Sequence, residues 1–200
     1  INSAFNVKEY VKRSYNFEAI ETVLKDKDYE FERRIKKEAD GAEYEYIEVI
    51  PNEQSKKFLF KGYVIIDPAS KSILEYKLYS SESHFKNSKL ISVLIAKVKI
   101  NKSLFWSKFQ NINDQYILNY NKRQLVIYMK MGKRVDHTFD FSNDLFFYEF
   151  KKDVQIPEMG YDKKTIFEAG TEFTENFWAK YNVFPLSESD EKFINSVQPK

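Results

Sequence analysis

Acid–base and nucleophilic chemistry near neutral pH is most often run by histidine, and this 200-residue chain holds two, His84 and His137. His84 lies in a serine-rich loop. His137 shares a strand face with Val135, Phe139 and Phe141, where the plain expectation is a core or rim histidine with satisfied nitrogens. A zinc site needs three or four ligands, and Asp136 and Asp140 point to the face opposite His137 on a strand, so they cannot complete one. With no cysteine in the chain, thiolate metal sites and cysteine nucleophiles are excluded. Carboxylates are abundant, among them Glu30, Glu32, Glu45, Glu48, Glu75 and Glu149, and a glycosidase needs two of them facing one cleft. Most alternate with apolar residues instead, as on the solvated face of a half-covered sheet. The GxSxG, Walker, GxGxxG and HExxH patterns are all missing, each of which would mark a known chemistry. The expectation is a non-enzyme with no cofactor and no metal.

Charge narrows the partners. Lys+Arg 32 against Asp+Glu 30 gives a net charge of +2, too balanced for a domain that binds nucleic acid by neutralising phosphates. The chain starts at Ile1 and has no apolar run near the ~20 residues a membrane-crossing helix needs. A mature product or excised fragment is expected, with any export signal outside it.

Composition points to the elements that position these side chains. Aromatic residues make up 17% of the chain, with Phe 18 and Tyr 14 beside only Gly 5 and Pro 5, a mixture that favours strands and disfavours phosphate loops. The clearest unit runs from Phe58 to Tyr79: two apolar and aromatic arms flank Asp67-Pro68-Ala69-Ser70-Lys71, whose residue types favour a tight reversal, so a β-hairpin is expected. Phe58, Phe60, Val64 and Ile66 share one face of the first arm, and Leu74, Tyr76 and Leu78 one face of the second. Gly62 inside the first arm predicts a bulge, a bend or a close backbone approach.

Before the hairpin, the pattern gives a short helix over residues 5–15, a strand over Phe17 to Leu24, a strand at Tyr29 to Ile35, an Asp40-Gly41 turn and a strand at Tyr44 to Ile50. After it come a loop from Ser80 to Lys89 and one long apolar strand from Leu90 to Ile100. Strands follow at Gln115 to Tyr120, Gln124 to Met131, Val135 to Phe141 and Leu145 to Phe150. Such short connections mean antiparallel neighbours in sequence order. Residues 151–200 read as a linker and two short helices, Glu172 to Tyr181 and Ser187 to Val197. The expected fold is mainly β (α+β): a single domain over 1–200 whose residues 17–150 form a curved antiparallel meander or half-barrel of about nine or ten strands, with short terminal helices. A sheet of that size usually curls, splits or closes.

The aromatic excess has two readings: core filling for a sheet with one covered face, or an apolar groove that holds a lipid or acyl chain. Phe58, Phe60, Leu74, Tyr76 and Leu78 would line such a groove, with Trp178 from the closing helix packed nearby.

Three stretches carry a resemblance. Tyr44-Glu45-Tyr46-Ile47-Glu48-Val49-Ile50-Pro51, then Phe60-Lys61-Gly62-Tyr63-Val64-Ile65-Ile66-Asp67 with Ile73, and finally Asn176-Phe177-Trp178-Ala179-Lys180-Tyr181-Asn182 are similar to motifs of Bacteroidetes carboxypeptidase-like regulatory domain-containing cell-envelope proteins. The chain resembles the β-rich region downstream of their N-terminal sandwich, over roughly residues 15 to 195. The resemblance implies an exported protein of the periplasm or outer membrane with uncharacterised function, and despite the family name it implies no peptidase activity; the expected partner is an unknown protein or hydrophobic ligand in the cell envelope. The glycine strand and its turn are also similar, at the level of sheet pattern, to lipoprotein carriers whose curved sheet cradles acyl chains.

Overall fold

The computed structural model describes residues 11–152 except 13, 38–40 and 148, all of them in one compact unit. It is mainly β. One unclosed, curved antiparallel sheet holds β1 (Tyr29–Lys37), β2 (Glu43–Pro51), β3 (Phe60–Ile66), β4 (Ile73–Ser80), β5 (Ile91–Val93), β6 (Ala96–Ile112), β7 (Gln115–Met131) and β8 (Val135–Phe146). The strands lie in the order β1-β2-β3-β4-β6-β7-β8, a meander as the short connections predict. β6 is long enough to pair with β4 over Leu104 to Lys108 and with β5 over Ala96 to Val98.

Among the described residues the meander has eight strands, and some strand boundaries differ from those expected for identifiable reasons. The expected break at Asn121-Lys122 does not occur, because the side chain of Asn121 is satisfied within the sheet. It is buried, and its Nδ2 donates to Ser107 Oγ at 2.8 Å on the neighbouring strand, so a turn-forming residue stays in a 17-residue strand. Ser142-Asn143 likewise continues β8, paired with Gln124 and Arg123. The run from Leu90 to Ile100 is not one strand. It folds on itself at Leu94 and Ile95, with Leu94 at φ 52°.

The stretch Phe17 to Leu24, expected as a strand, is a helix, α1 (Glu18–Lys25). Its start is fixed by Asn16, whose Oδ1 accepts the Glu18 backbone N–H at 2.8 Å, while Glu18 and Glu21 in the first turn and Lys25 in the last suit the helix dipole. Ile20 and Val23 at a three-residue spacing form its buried stripe. Residues 11, 12 and 14 are also helical, and the loop expected from Ser80 to Lys89 contains a 3-10 helix, Glu82–Asn87. The segments expected as C-terminal helices, Trp178 and the first ten residues lie outside the described residues.

The sheet has two faces of different character. Cross-strand partners share a face, so the register places Val49, Val64, Tyr76, Leu78, Phe105 and Phe31 on one side. On it Val49, Val64, Tyr76, Leu78, Phe109 and Leu118 form the core with Ile20 and Val23 of α1, and Phe17 meets the rings of Tyr76 and Phe109. Burying each large apolar side chain contributes ~1.5–3 kcal/mol. The core ends at Arg33 and Glu45, whose ion pair (2.6 Å) closes that face between β1 and β2.

Gly62 makes the predicted close approach. It adopts φ +149°, and a Cβ there would stand 1.8 Å from the Lys77 carbonyl oxygen. Further along the same pair the β3–β4 register slips: Ile65 pairs with Glu75 and Ile66 with Ile73, leaving Leu74 as the extra residue of a bulge.

Candidate functional site

The opposite face of the sheet carries the densest polar and aromatic constellation, centred on Glu75 of β4. Register sets Glu75 beside Ile65 and Lys108, and Lys77 beside Tyr63 and Trp106. The Tyr63 hydroxyl donates to Glu75 Oε1 at 2.6 Å and Trp106 Nε1–H donates to the same oxygen at 2.8 Å. Lys108 Nζ lies 3.4 Å from Oε2. With its side chain only 16% exposed, Glu75 has both oxygens engaged by three donors on two other strands, β3 and β6. A carboxylate held this way orders its neighbours.

Rings extend from this hub in both directions. Tyr46 stacks on Tyr63 with centroids 5.2 Å apart, and Trp106 meets Tyr120 edge to face at 5.1 Å. Tyr120 in turn packs on Phe146 and donates to Asp144 at 2.6 Å. Burial, reinforced by the Glu75 carboxylate, holds the Tyr63 phenol well above its ordinary pKa, and burial with Asp144 does the same to Tyr120. Both stay neutral donors at physiological pH. Period-2 alternation produces this row, since each of these residues occupies the outward parity of its strand.

Cations sit on the rings. Lys77 Nζ is 4.4 Å from the Trp106 centroid, Lys36 is 3.9 Å from Tyr46 and Lys61 is 5.4 Å from Tyr79, all within cation–π range. Lys61 and Lys77 form no ion pair among the described residues, whereas Arg34 is neutralised by Glu48. Tyr46, Tyr63, Tyr79, Lys61, Lys77 and Leu104 line an open groove of about 650 Å³, to which the bare backbone of Gly62 contributes. Among the described residues no group of three or more His, Asp or Glu side chains is placed to hold a metal ion.

The residues predicted to line an apolar groove are dispersed. Tyr76 and Leu78 are buried in the core. Phe60, half-buried on the same face, packs on Phe58 and Phe105. Leu74, turned by the bulge, lines a separate recess with Ile65, Glu75 and Lys108, and Trp178 lies outside the described residues. His84 is buried: its Nε2 meets the Asn52 carbonyl at 3.0 Å and its Nδ1 the Ser81 and Ser83 hydroxyls, which ties the 3-10 helix to the loop after β2. His137 is exposed on β8. Glu75, Tyr63, Trp106 and Tyr120 escape the sequence reading as a group, because it follows the apolar parity of the hairpin; the signal lies in the opposite parity, Tyr63 on one arm and Glu75 on the other.

Comparison with protein-family models, curated proteins and solved structures finds no match to this chain.

Proposed function

We propose that this chain is a non-catalytic binding or scaffolding module of an exported cell-envelope protein, and that it engages its partner through the aromatic face around Glu75. The observation that carries this reading is the saturation of Glu75 by Tyr63, Trp106 and Lys108. It fixes a row of rings before any partner arrives, and pre-organised rings lose little entropy on binding. The ammonium groups of Lys61 and Lys77, unpaired with any acid among the described residues, suit a partner that presents carboxylates beside flat apolar groups. The periplasmic or outer-membrane setting follows from the resemblance of the Tyr44 to Pro51 and Phe60 to Asp67 stretches. Screening the purified chain against esterase, peptidase and glycosidase substrates tests the non-catalytic part. No turnover is expected; turnover abolished by one carboxylate substitution overturns it.

A second reading, a carrier for a lipid or acyl chain, draws on the other face beyond the core. There Ile100, Ile127 and Phe139 are successive partners across β6, β7 and β8, with Leu125 and Phe141 alongside. Native mass spectrometry of the purified chain separates the two readings. A co-purifying acyl ligand supports the carrier; its absence, with no binding of a fluorescent fatty acid, eliminates it.

A further inference from the structure

The β5–β6 turn does the reverse of what hairpin turns usually do. Two-residue turns favour Asn, Asp and Gly, and the β6–β7 turn follows that rule with Asn113 and Asp114 at φ 52° and 59°. The β5–β6 turn instead places Leu94, at φ 52°, and Ile95 at its tip. They are 98% and 81% exposed, and Ile91 and Val93 behind them are about half exposed. A leucine in the left-handed region carries a steric cost, and full exposure of both side chains forgoes their burial.

Charge surrounds this tip. Residues 83–135 contain eleven Lys and Arg against one acid, Asp114, and Asp114 sits in the turn at the far end of β6. Lys89 precedes β5 and Lys97 follows the apolar tip on β6, and register sets Lys97 opposite Lys130, so the β7–β8 turn brings Lys133 and Arg134 to the tip's end of the sheet. Only Lys130 of these is paired, with Asp136 at 3.1 Å; the other four form no ion pair among the described residues.

We infer that this end of the sheet docks on an anionic lipid bilayer, with Leu94 and Ile95 entering the headgroup–acyl boundary and the lysines meeting lipid phosphates. An apolar tip inside a cationic collar has the two attractions that surface anchoring requires. A nucleic acid would use the collar and leave the tip in water, and a second copy would bring like charges together. This inference is independent of the aromatic face.

The chain lacks cysteine, so Ile95→Cys and Asp114→Cys each create a single attachment point for an environment-sensitive dye. With vesicles of phosphatidylcholine and phosphatidylglycerol, the dye at 95 should shift to the blue and the dye at 114 should not. In vesicle co-sedimentation, Leu94→Ser with Ile95→Ser should lower partitioning ~10-fold or more, since two aliphatic side chains leave the interface. Lys97→Glu with Lys133→Glu should lower it on these vesicles too, and pure phosphatidylcholine should bind much less of the unsubstituted chain. Circular dichroism checks that the variants keep the sheet. No partitioning to phosphatidylglycerol vesicles, or partitioning untouched by the Leu94/Ile95 change, overturns the inference. Binding to duplex DNA that matches vesicle binding and ignores the tip substitutions overturns it in favour of a phosphate polymer.

Discussion

The indole N–H of Trp106 on β6 donates to Glu75 Oε1 on β4 at 2.8 Å, onto the oxygen that already accepts the Tyr63 hydroxyl from β3. Three strands are thereby cross-linked on the face away from the core, and the rings that flank them are held in fixed positions. Structure and proposed function meet in this one carboxylate.

Removing it should therefore loosen the face and destabilise the sheet together. Glu75→Ala leaves the half-buried Trp106 N–H, the Tyr63 hydroxyl and Lys108 without their acceptor, and a loss of ~2–4 kcal/mol is expected from hydrogen bonds of this type. Glu75→Gln keeps an oxygen for Trp106 and Tyr63 and should cost less. Urea unfolding of the three proteins measures the order; equal stability for Glu75→Ala and the unsubstituted chain contradicts the role assigned here.

Gly62 gives a sharper test of the backbone. A methyl group there would lie 1.8 Å from the Lys77 carbonyl oxygen, and φ is +149°, a conformation closed to other residues. Gly62→Ala must either break the β3–β4 ladder locally or strain it, and ~3 kcal/mol or more should be lost. Because Gly62 also borders the groove, hydrogen exchange should rise in β3 and β4 before β7. A variant as stable as the original would contradict the close approach.

Acid stability follows from the β3–β4 turn. Asp67 is held at a pKa of about 2 by the Tyr116 hydroxyl (2.6 Å), the Ser70 hydroxyl and the Ala69 N–H, against 3.8 ordinarily. The folded-state value is depressed, so this contribution is fully present above 3.8 and is lost as pH falls towards about 2. Asp67→Asn should flatten that part of the stability curve while leaving the curve near neutrality parallel to the original. Chemical denaturation across this window reads it, and an unchanged slope contradicts the assignment.

How much of this the residues disclose depends on the range of the interaction. The Phe58 to Tyr79 hairpin is legible because its turn chemistry and both alternating arms agree, and the Gly62 approach is legible because a glycine is costly inside a strand unless the backbone needs it. Asn121 misleads: its partner, Ser107, is remote in sequence, and only the fold reveals that a turn residue is satisfied in mid-strand. Phe17 to Leu24 misleads through its β-branched and aromatic content, while Asn16 capping Glu18 decides for a helix. The bulge at Leu74 reverses the facing of one residue and so disperses the predicted groove. The Glu75 constellation depends on register between strands, which alternation within a strand leaves open.

The binding role of the aromatic face is tested most directly by nuclear magnetic resonance titration with a soluble copolymer of glutamate and tyrosine, a probe that presents carboxylates beside flat rings. Shifts should concentrate on Tyr46, Tyr63, Lys77, Tyr79 and the Trp106 indole, and Lys77→Ala, a substitution on the sheet surface, should weaken binding several-fold. Shifts confined to the opposite face around Phe31 and Arg33, or the same titration with Lys77→Ala as without it, would contradict the account.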